Sequence, residues 1–256
     1  MADIVAEIKQ KRELHDLPDE LIVKTVNEYL AKHKAQIPNN SKERKMLIKE
    51  IRAELRRYAG QYASAQGGKK IKTLIEQHRF SELLQYHSST RERLIDYPLV
   101  KKIISDLKPN SILDIGCGLN PLAVATPNAR YHAYDIKEDD LNIVHEFFKE
   151  HKIEGDIHHA DVRLINNFPS VDICLMFKLL DIIGQDRNEI TRKLLINIKS
   201  KYFIISFATR TLSGKPMNRP YRRWFEGIIN ELKYSYKVIR TKQELFYIIT
   251  KDFKSA

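Results

Sequence analysis

The run Ser111-Ile-Leu-Asp-Ile-Gly-Cys-Gly-Leu-Asn-Pro121, followed by a second apolar run that ends in Asp135, constrains this chain more than any other feature. Ile112, Leu113 and Ile115 have the character of a short buried strand. Gly116 and Gly118 let the backbone turn tightly and approach a ligand with no Cβ in the way. Asp135, at the tip of the next strand, can accept hydrogen bonds from both hydroxyls of a ribose. Strand, glycine turn, helix start and acid-tipped strand make the half-site of a nucleotide-type cofactor. A structural turn with no ligand is the competing reading of a lone G-x-G.

Two details select the cofactor. A dinucleotide site wants G-x-G-x-x-G, with its third glycine closing helix against strand and pyrophosphate on the helix N-terminus. Here Pro121, preceded by Asn120, holds the third glycine's place, and Asp114 lies inside the strand two residues before the first glycine. An acid there repels a pyrophosphate but can hold the ammonium of an amino-acid moiety, directly or through water. The combination favours S-adenosylmethionine over NAD.

The 256 residues suffice for one large α/β domain plus a smaller appendage, and 43% hydrophobic content can build its core. The charged N-terminus and the lack of a long apolar run exclude a signal peptide and a membrane span, so a cytoplasmic protein is expected. Cys117 and Cys174 fall in segments expected to be buried, as packing thiols; neither a disulfide nor a zinc site is expected of them, and no metal is expected elsewhere. The formal charge of +11 points to a polyanionic partner, and its distribution says more. Between residues 42 and 72 ten Lys or Arg face Glu43, Glu50 and Glu54; between 206 and 242 nine face Glu226 and Glu231. Each segment carries a net +7.

Residues 1–85 read as helical. Leu17-Pro18-Asp19-Glu20 opens a helix followed by Leu21, Ile22, Thr25, Val26, Tyr29 and Leu30 at helical spacing. After Pro38-Asn39-Asn40, Ser41 is expected to cap a helix whose apolar stripe is Leu47, Ile48, Ile51, Leu55 and Tyr58. On another face Lys45, Lys49, Arg52 and Arg56 repeat, either as a solvated face or as a phosphate-tracking surface. Gly67-Gly68 breaks this helix, and 69–85 form another short helical stretch.

From residue 98 on, strands alternate with helices, within a second domain expected to span 86–256. Strands are expected near 111–116, 130–135, 156–160, 171–177, 202–207, 235–240 and 244–250, with helices between the first five. The pattern predicts an α/β fold: a mostly parallel seven-stranded sheet with an antiparallel terminal hairpin, beside an N-terminal all-helical domain. Such a sheet binds ligands at the carboxyl ends of its strands, where Asp114 to Gly118, Asp135, Asp161 and Phe177-Lys178 fall.

Asp161 can accept from an adenine amine with Val162 against the ring, or simply cap a helix. His158 and His159, as strand neighbours, point to opposite faces and cannot share an ion. Arg93, in His87-Ser-Ser-Thr-Arg-Glu-Arg-Leu94, either binds a carboxylate in the cofactor site or makes a surface pair. Arg210, Lys215, Arg222 and Arg223 interleave with Tyr221, Trp224 and Phe225, as on a surface that meets phosphates and stacks bases. Trp224 and Phe225 also read as core positions of an amphipathic helix.

These blocks together resemble the 16S rRNA guanine-N7 methyltransferases that confer aminoglycoside resistance. His87 to Leu94 look like that family's H-x-S-T-x-E-R-L element, Ser111 to Leu122 its L-D-x-x-C-G-x-N-P-L, and Phe177-Lys-Leu-Leu180 its F-K-L-L. Ser206 to Gly214, Trp224 to Gly227 and Glu244 to Tyr247 match further blocks. The resemblance implies a class I (Rossmann-like) methyltransferase domain, with a helical domain docking on 16S rRNA in the assembled 30S subunit, and a monomer. It implies Arg93 on the methionine carboxylate, Gly116 and Gly118 under the cofactor, Asp135 on the ribose, Asp161 near adenine, and Lys178 at the active-site mouth. Two departures stand out: Gly184 replaces an acid, and Lys215 to Tyr221 replace a longer loop. The target base is therefore open; another RNA base, a small molecule, or a non-enzymatic ribosome-assembly role are the alternatives. Phe177, Tyr221 and Trp224 are candidates to stack on the base.

Overall fold

The computed structural model describes residues 1–59, 68–183, 186–211, 214–218 and 220–251. Gly67 of the expected helix break, Gly184, Leu212, Ser213 and Arg219 lie outside the described residues, as does the side chain of Tyr58. The N-terminal part holds α1 (Ala2–Lys9), α2 (Asp19–His33) and α3 (Ser41–Ala59). Pro18 immediately precedes α2, as expected, but Ser41 is not the cap of α3. Asn40 is: its Oδ1 accepts the Glu43 N–H at 2.8 Å. Ile4, Ile8, Leu14, Leu17, Leu21, Ile22 and Val26 join the expected stripe Leu47, Ile48, Ile51 and Leu55 in a separate core.

Beyond it come α4 (Gly68–Glu76), α5 (Phe80–Leu83), α6 (Ser88–Arg93) and α7 (Tyr97–Leu107). His78, at φ 58°, separates α4 from α5, so 69–85 do not form one helix. Leu74, Phe80, Leu83 and Leu84 pack into the core under the sheet, not into that of the first three helices. The apolar packing thus changes hands between α3 and α4.

Seven strands follow: β1 (Ser111–Ile115), β2 (Arg130–Asp135), β3 (Gly155–His159), β4 (Val171–Phe177), β5 (Ser200–Ala208), β6 (Ser235–Arg240) and β7 (Glu244–Thr250). Their spatial order is β3-β2-β1-β4-β5-β7-β6. The first five are parallel; β7 enters antiparallel between β5 and β6. Strand order reverses between β1 and β4, and a crevice opens at such a reversal. The helices between are α8 (Pro121–Val124), α9 (Glu138–His151), α10 (Arg187–Asn197) and α11 (Arg223–Glu231). No helix joins β3 to β4, contrary to the expected alternation; short turns after Asp161 lead into an extended connection.

Candidate functional site

A cleft with about 930 Å³ of empty space, counting its open mouth, lies over the carboxyl ends of β1, β2 and β4. Its lining includes Arg93, Gly116, Gly118, Asp135, Asp161, Phe177 and Lys178, seven of the expected site residues. Asp114, Tyr221 and Trp224 are not among the lining residues.

The turn after β1 needs its glycines. Gly116 and Gly118 stand at φ +67° and +47°, the left-handed region that a Cβ disfavours. A Cβ on Gly116 would meet Leu179 Cδ1 at 3.1 Å, and one on Gly118 would meet the His87 ring at 3.1 Å. The turn is tied to β2 by Asp135, whose Oδ2 accepts the Gly118 N–H at 2.7 Å and whose Oδ1 accepts the Lys137 N–H at 2.9 Å. Burial raises the Asp135 pKa against those amide hydrogen bonds. Two amides thus aim a buried carboxylate into the cleft with lone pairs to spare.

Asp114 does a different job from the one expected. It is 1% exposed, and its Oδ2 accepts from the Tyr131 hydroxyl and from Asn120 Nδ2, both at 2.7 Å. Asn120 thereby fastens the turn to the strand beneath it. Burial pushes the Asp114 carboxyl up to about 6 against these bonds. Its carboxylate lies under the turn, outside the lining of the cleft.

Arg93 is not a surface pair. It is 1% exposed, with Nε 2.9 Å from Glu244 Oε1 and its guanidinium 4.5 Å from the Phe177 ring centre. Burial opposes its charge, but Glu244 and Tyr97 together outweigh burial and raise the pKa. One terminal nitrogen, Nη2, is buried without a hydrogen bond. A buried guanidinium N–H in that condition beside a cleft fits an incoming carboxylate. Lys178, at φ 56° and 3% exposed, places Nζ 2.5 Å from Glu92 Oε2 and 3.4 Å from Glu244 Oε1. Glu244 is fully buried and also accepts from Ser206 Oγ at 2.5 Å.

At the other end, Asp161 caps no helix. It receives Arg163 through Nε at 2.9 Å and Nη2 at 2.7 Å, so its acceptors are partly occupied, while Ala160 and Val162 line the wall. Sequence reasoning missed the contribution of the N-terminal helices to this cleft. Leu21 of α2 reaches it, and Lys137 Nζ donates to the Glu13 carbonyl at 2.8 Å and to Asp16 Oδ1 at 3.0 Å. The only signal was a lysine two residues past the acid that ends β2. His87, to which the sequence assigns no role of its own, sits under Gly118 with Nε2 3.4 Å from Asp140. Burial, then Arg93, Lys137 and Lys178, push its pKa down to about 4.

The expected RNA-facing cations divide. Lys45, Lys49, Lys215 and Arg223 are exposed or partly so. Arg52 donates to the Glu7 carbonyl, and Arg56 is held by Glu13 at 2.8 Å, so half of the α3 row braces the helical unit. Arg210 donates to Gly214 O at 2.8 Å within its own loop. Arg222 grips Asp181 at 2.6 Å and also donates to the carbonyls of Pro220 and Ala208. Trp224 follows its core reading: Phe207 and Phe225 pack on it and Arg187 lies 4.7 Å over its ring. Tyr221 is 49% exposed.

Comparison with known proteins points to one family. A family model described as ribosomal RNA methyltransferase (FmrO) matches residues 63–248. A 16S rRNA (guanine(1405)-N(7))-methyltransferase of Serratia marcescens is 29% identical over 218 residues, covering 82% of this chain and 86% of that protein. One from Proteus mirabilis is 26% identical, covering 81% and 85%. Among solved structures, the 16S rRNA methylase RmtB superposes with a TM-score of 0.80 at 24% identity, over 98% of both chains. RmtF, solved with S-adenosyl-L-homocysteine, gives 0.81 at 22%, again over 98% of both. These two structures share the fold.

Proposed function

This chain belongs to the ribosomal RNA methyltransferase (FmrO) family, and from that premise we propose that it transfers a methyl group from S-adenosylmethionine to N7 of a decoding-site guanine in 16S rRNA of the assembled 30S subunit. The observation that carries the reading is the cleft itself: a glycine cradle, a ribose-height acid and a buried guanidinium nitrogen without a hydrogen bond, all at the sheet's strand-order reversal.

Arg93 would hold the methionine carboxylate, Gly116 and Gly118 would underlie the cofactor, and Asp135 would accept from the ribose. Val162 and Asp161 would border the adenine. When bound, S-adenosylmethionine supplies an electrophilic methyl on a sulfonium. Guanine N7 has an in-plane lone pair and no proton, so the protein has no base to provide. Lys178 suits that demand: its ammonium is held by Glu92 and Glu244 at the mouth, where it positions and neutralises. The work left to the side chains is orientation and exclusion of water, the terms that convert proximity into rate.

We place the recognition of the subunit on residues 1–85, with Lys45 and Lys49 as phosphate contacts, and catalysis on 86–256. Lys215, Arg223 and the half-exposed Tyr221 would meet RNA beside the mouth, Tyr221 as the stacking partner. The protein is proposed to act as a monomer in the cytoplasm; among the described residues no helix is long and apolar enough to cross a membrane. Purified 30S subunits, the protein and labelled cofactor, followed by borohydride and aniline cleavage, should give a cut at the decoding-site guanine. Intact subunits that yield no such cut would overturn the reading. Expression in a susceptible host should raise aminoglycoside resistance in parallel.

A further inference from the structure

The missing helix between β3 and β4 leaves one face of the sheet's outer edge thinly covered, and that face carries ligating side chains. Strand alternation places Arg130, His132 and Tyr134 of β2 on it, opposite Asp156 and His158 of β3 in the parallel register His132↔Asp156 and Tyr134↔His158. Phe168 from the β3–β4 connection covers Tyr134 on this face, edge-on at 5.6 Å. One ligand atom each from His132, Asp156 and His158 lies within 4.8 Å of the other two.

From this geometry we infer a binding site for a zinc-class divalent ion, formed by His132, Asp156 and His158. His132 Nδ1 is already 3.1 Å from Asp156 Oδ2. Donors bonded at about 2.0–2.2 Å to one tetrahedral ion stand roughly 3.3–3.6 Å apart, so only a small side-chain adjustment completes the set. Two imidazoles and a carboxylate are the donor set of borderline metals such as Zn²⁺, Co²⁺ and Ni²⁺, and exclude Mg²⁺ and Ca²⁺ as preferred occupants. The site is partly prearranged: His132 is 8% exposed, and the His158 ring is stacked on Tyr134 at 4.1 Å and 14°. Asp156 opens it to solvent. Its competing partner, Arg130 at 3.0 Å, is half exposed and easily displaced, since surface pairs of this kind hold weakly. An ion here would clamp the edge strand β3 to β2. Two residues beyond His159 stands Asp161 of the cleft, so the clamp would steady that wall without touching a ligand.

The test uses the full chain stripped with chelator and titrated calorimetrically with zinc chloride, and with cobalt chloride followed by visible absorption. One ion per chain is expected, with affinity at least tenfold weaker in His132→Ala and in His158→Ala. Because His132 is buried, Asp156→Asn and His158→Ala serve as the surface-accessible variants, checked for unchanged folding by circular dichroism. Absence of saturable binding to the wild-type chain, or affinity retained when both His158→Ala and Asp156→Asn are present, would overturn the assignment. The nine histidines of the chain make that second control necessary. Metal binding and methyl transfer are read separately, so neither result decides the other.

Discussion

Arg93 and Arg56 are both helix-borne arginines paired to a glutamate, yet their surroundings differ in kind. Arg93 is 1% exposed against a fully buried Glu244, whereas Arg56 is 44% exposed against a Glu13 that is 34% exposed. On the cleft floor each charge was taken out of water and exists only because its partner does. On the outer face of α3, water solvates either member when the other is absent. The cleft floor is therefore a set of interdependent charges, and the outer face of α3 a set of exchangeable ones.

Cutting the floor should give the largest effect. Glu244→Leu strands the buried Arg93 charge, and urea denaturation should show a loss of about 3–5 kcal/mol, whereas Arg93→Leu leaves Glu244 with Lys178 at 3.4 Å and should cost less. The double substitution should cost less than the sum of the singles, because neither charge is left behind, while cofactor binding stays abolished through Arg93. Single losses below about 1 kcal/mol would mean the floor behaves like the outer face.

The next effect is electrostatic and appears with pH. Asp114 is raised to about 6 by burial, so it binds its proton more tightly folded than unfolded. Its contribution is fully present below its unfolded value near 3.8 and is lost as pH rises through about 6. His87, lowered to about 4 chiefly by burial, contributes stability present above its ordinary 6.5 and lost as pH falls through about 4. The two oppose each other across the same window. Asp114→Asn keeps an acceptor for Tyr131 and Asn120 but removes the first arm. Stability measured by urea between about pH 4 and 6.5 should then climb more steeply than in the wild type, by up to about 3 kcal/mol across the window. Parallel curves would show that the buried carboxyl is already ionised or already relaxed.

The same contrast explains what was legible in the sequence. The places of Gly116, Gly118 and Asp135 could be read because they follow from local backbone geometry: a positive φ, a turn, a strand end. The sheet order followed from the alternation of strands and helices and from the final pair lacking a helix. The β3–β4 crossover was misread because Asp161-Val162-Arg163-Leu164 has a helix start's composition, while Arg163 folds back on Asp161 and ends it. Asp114 stands out in the sequence because an acid in a strand is conspicuous; the Tyr131 and Asn120 groups that hold it lie 17 and 6 residues further on and do not. Arg52, Arg56, Arg210 and Arg222 looked like RNA contacts because one sequence displays cations without their partners. Glu7, Glu13, Gly214 and Asp181 became visible only in three dimensions. Lys137, Leu21 and Glu244 were missed for the same reason, their contacts being with distant segments.

A substitution in the glycine turn tests whether the cradle is local in the way the sequence suggested. Gly118→Val meets two obstacles, a left-handed φ of +47° and the His87 ring 3.1 Å from its Cβ. The backbone term alone is roughly 1–2 kcal/mol. Calorimetric titration with S-adenosylmethionine should show at least tenfold weaker binding, with Gly116→Val similar through Leu179. Undiminished affinity in either variant would place the cofactor away from the turn.

The smallest effects should fall on the outer face, where they separate two kinds of surface cation. Arg56→Ala breaks an exposed pair with Glu13 and should cost no more than about 1 kcal/mol of stability. Because its charge is already matched, the salt dependence of binding to 30S subunits should stay as it was. Lys45→Ala with Lys49→Ala should do the reverse: unchanged urea midpoint, weaker binding, and a salt slope reduced by up to about 0.8 for each phosphate no longer neutralised. Measuring both properties on both variants decides the matter. If Arg56→Ala lowers the salt slope as much as the lysine pair does, the glutamate partner is given up when RNA arrives. The bracing role assigned to Arg56 would then hold only for the free protein, because an exposed pair costs so little to open.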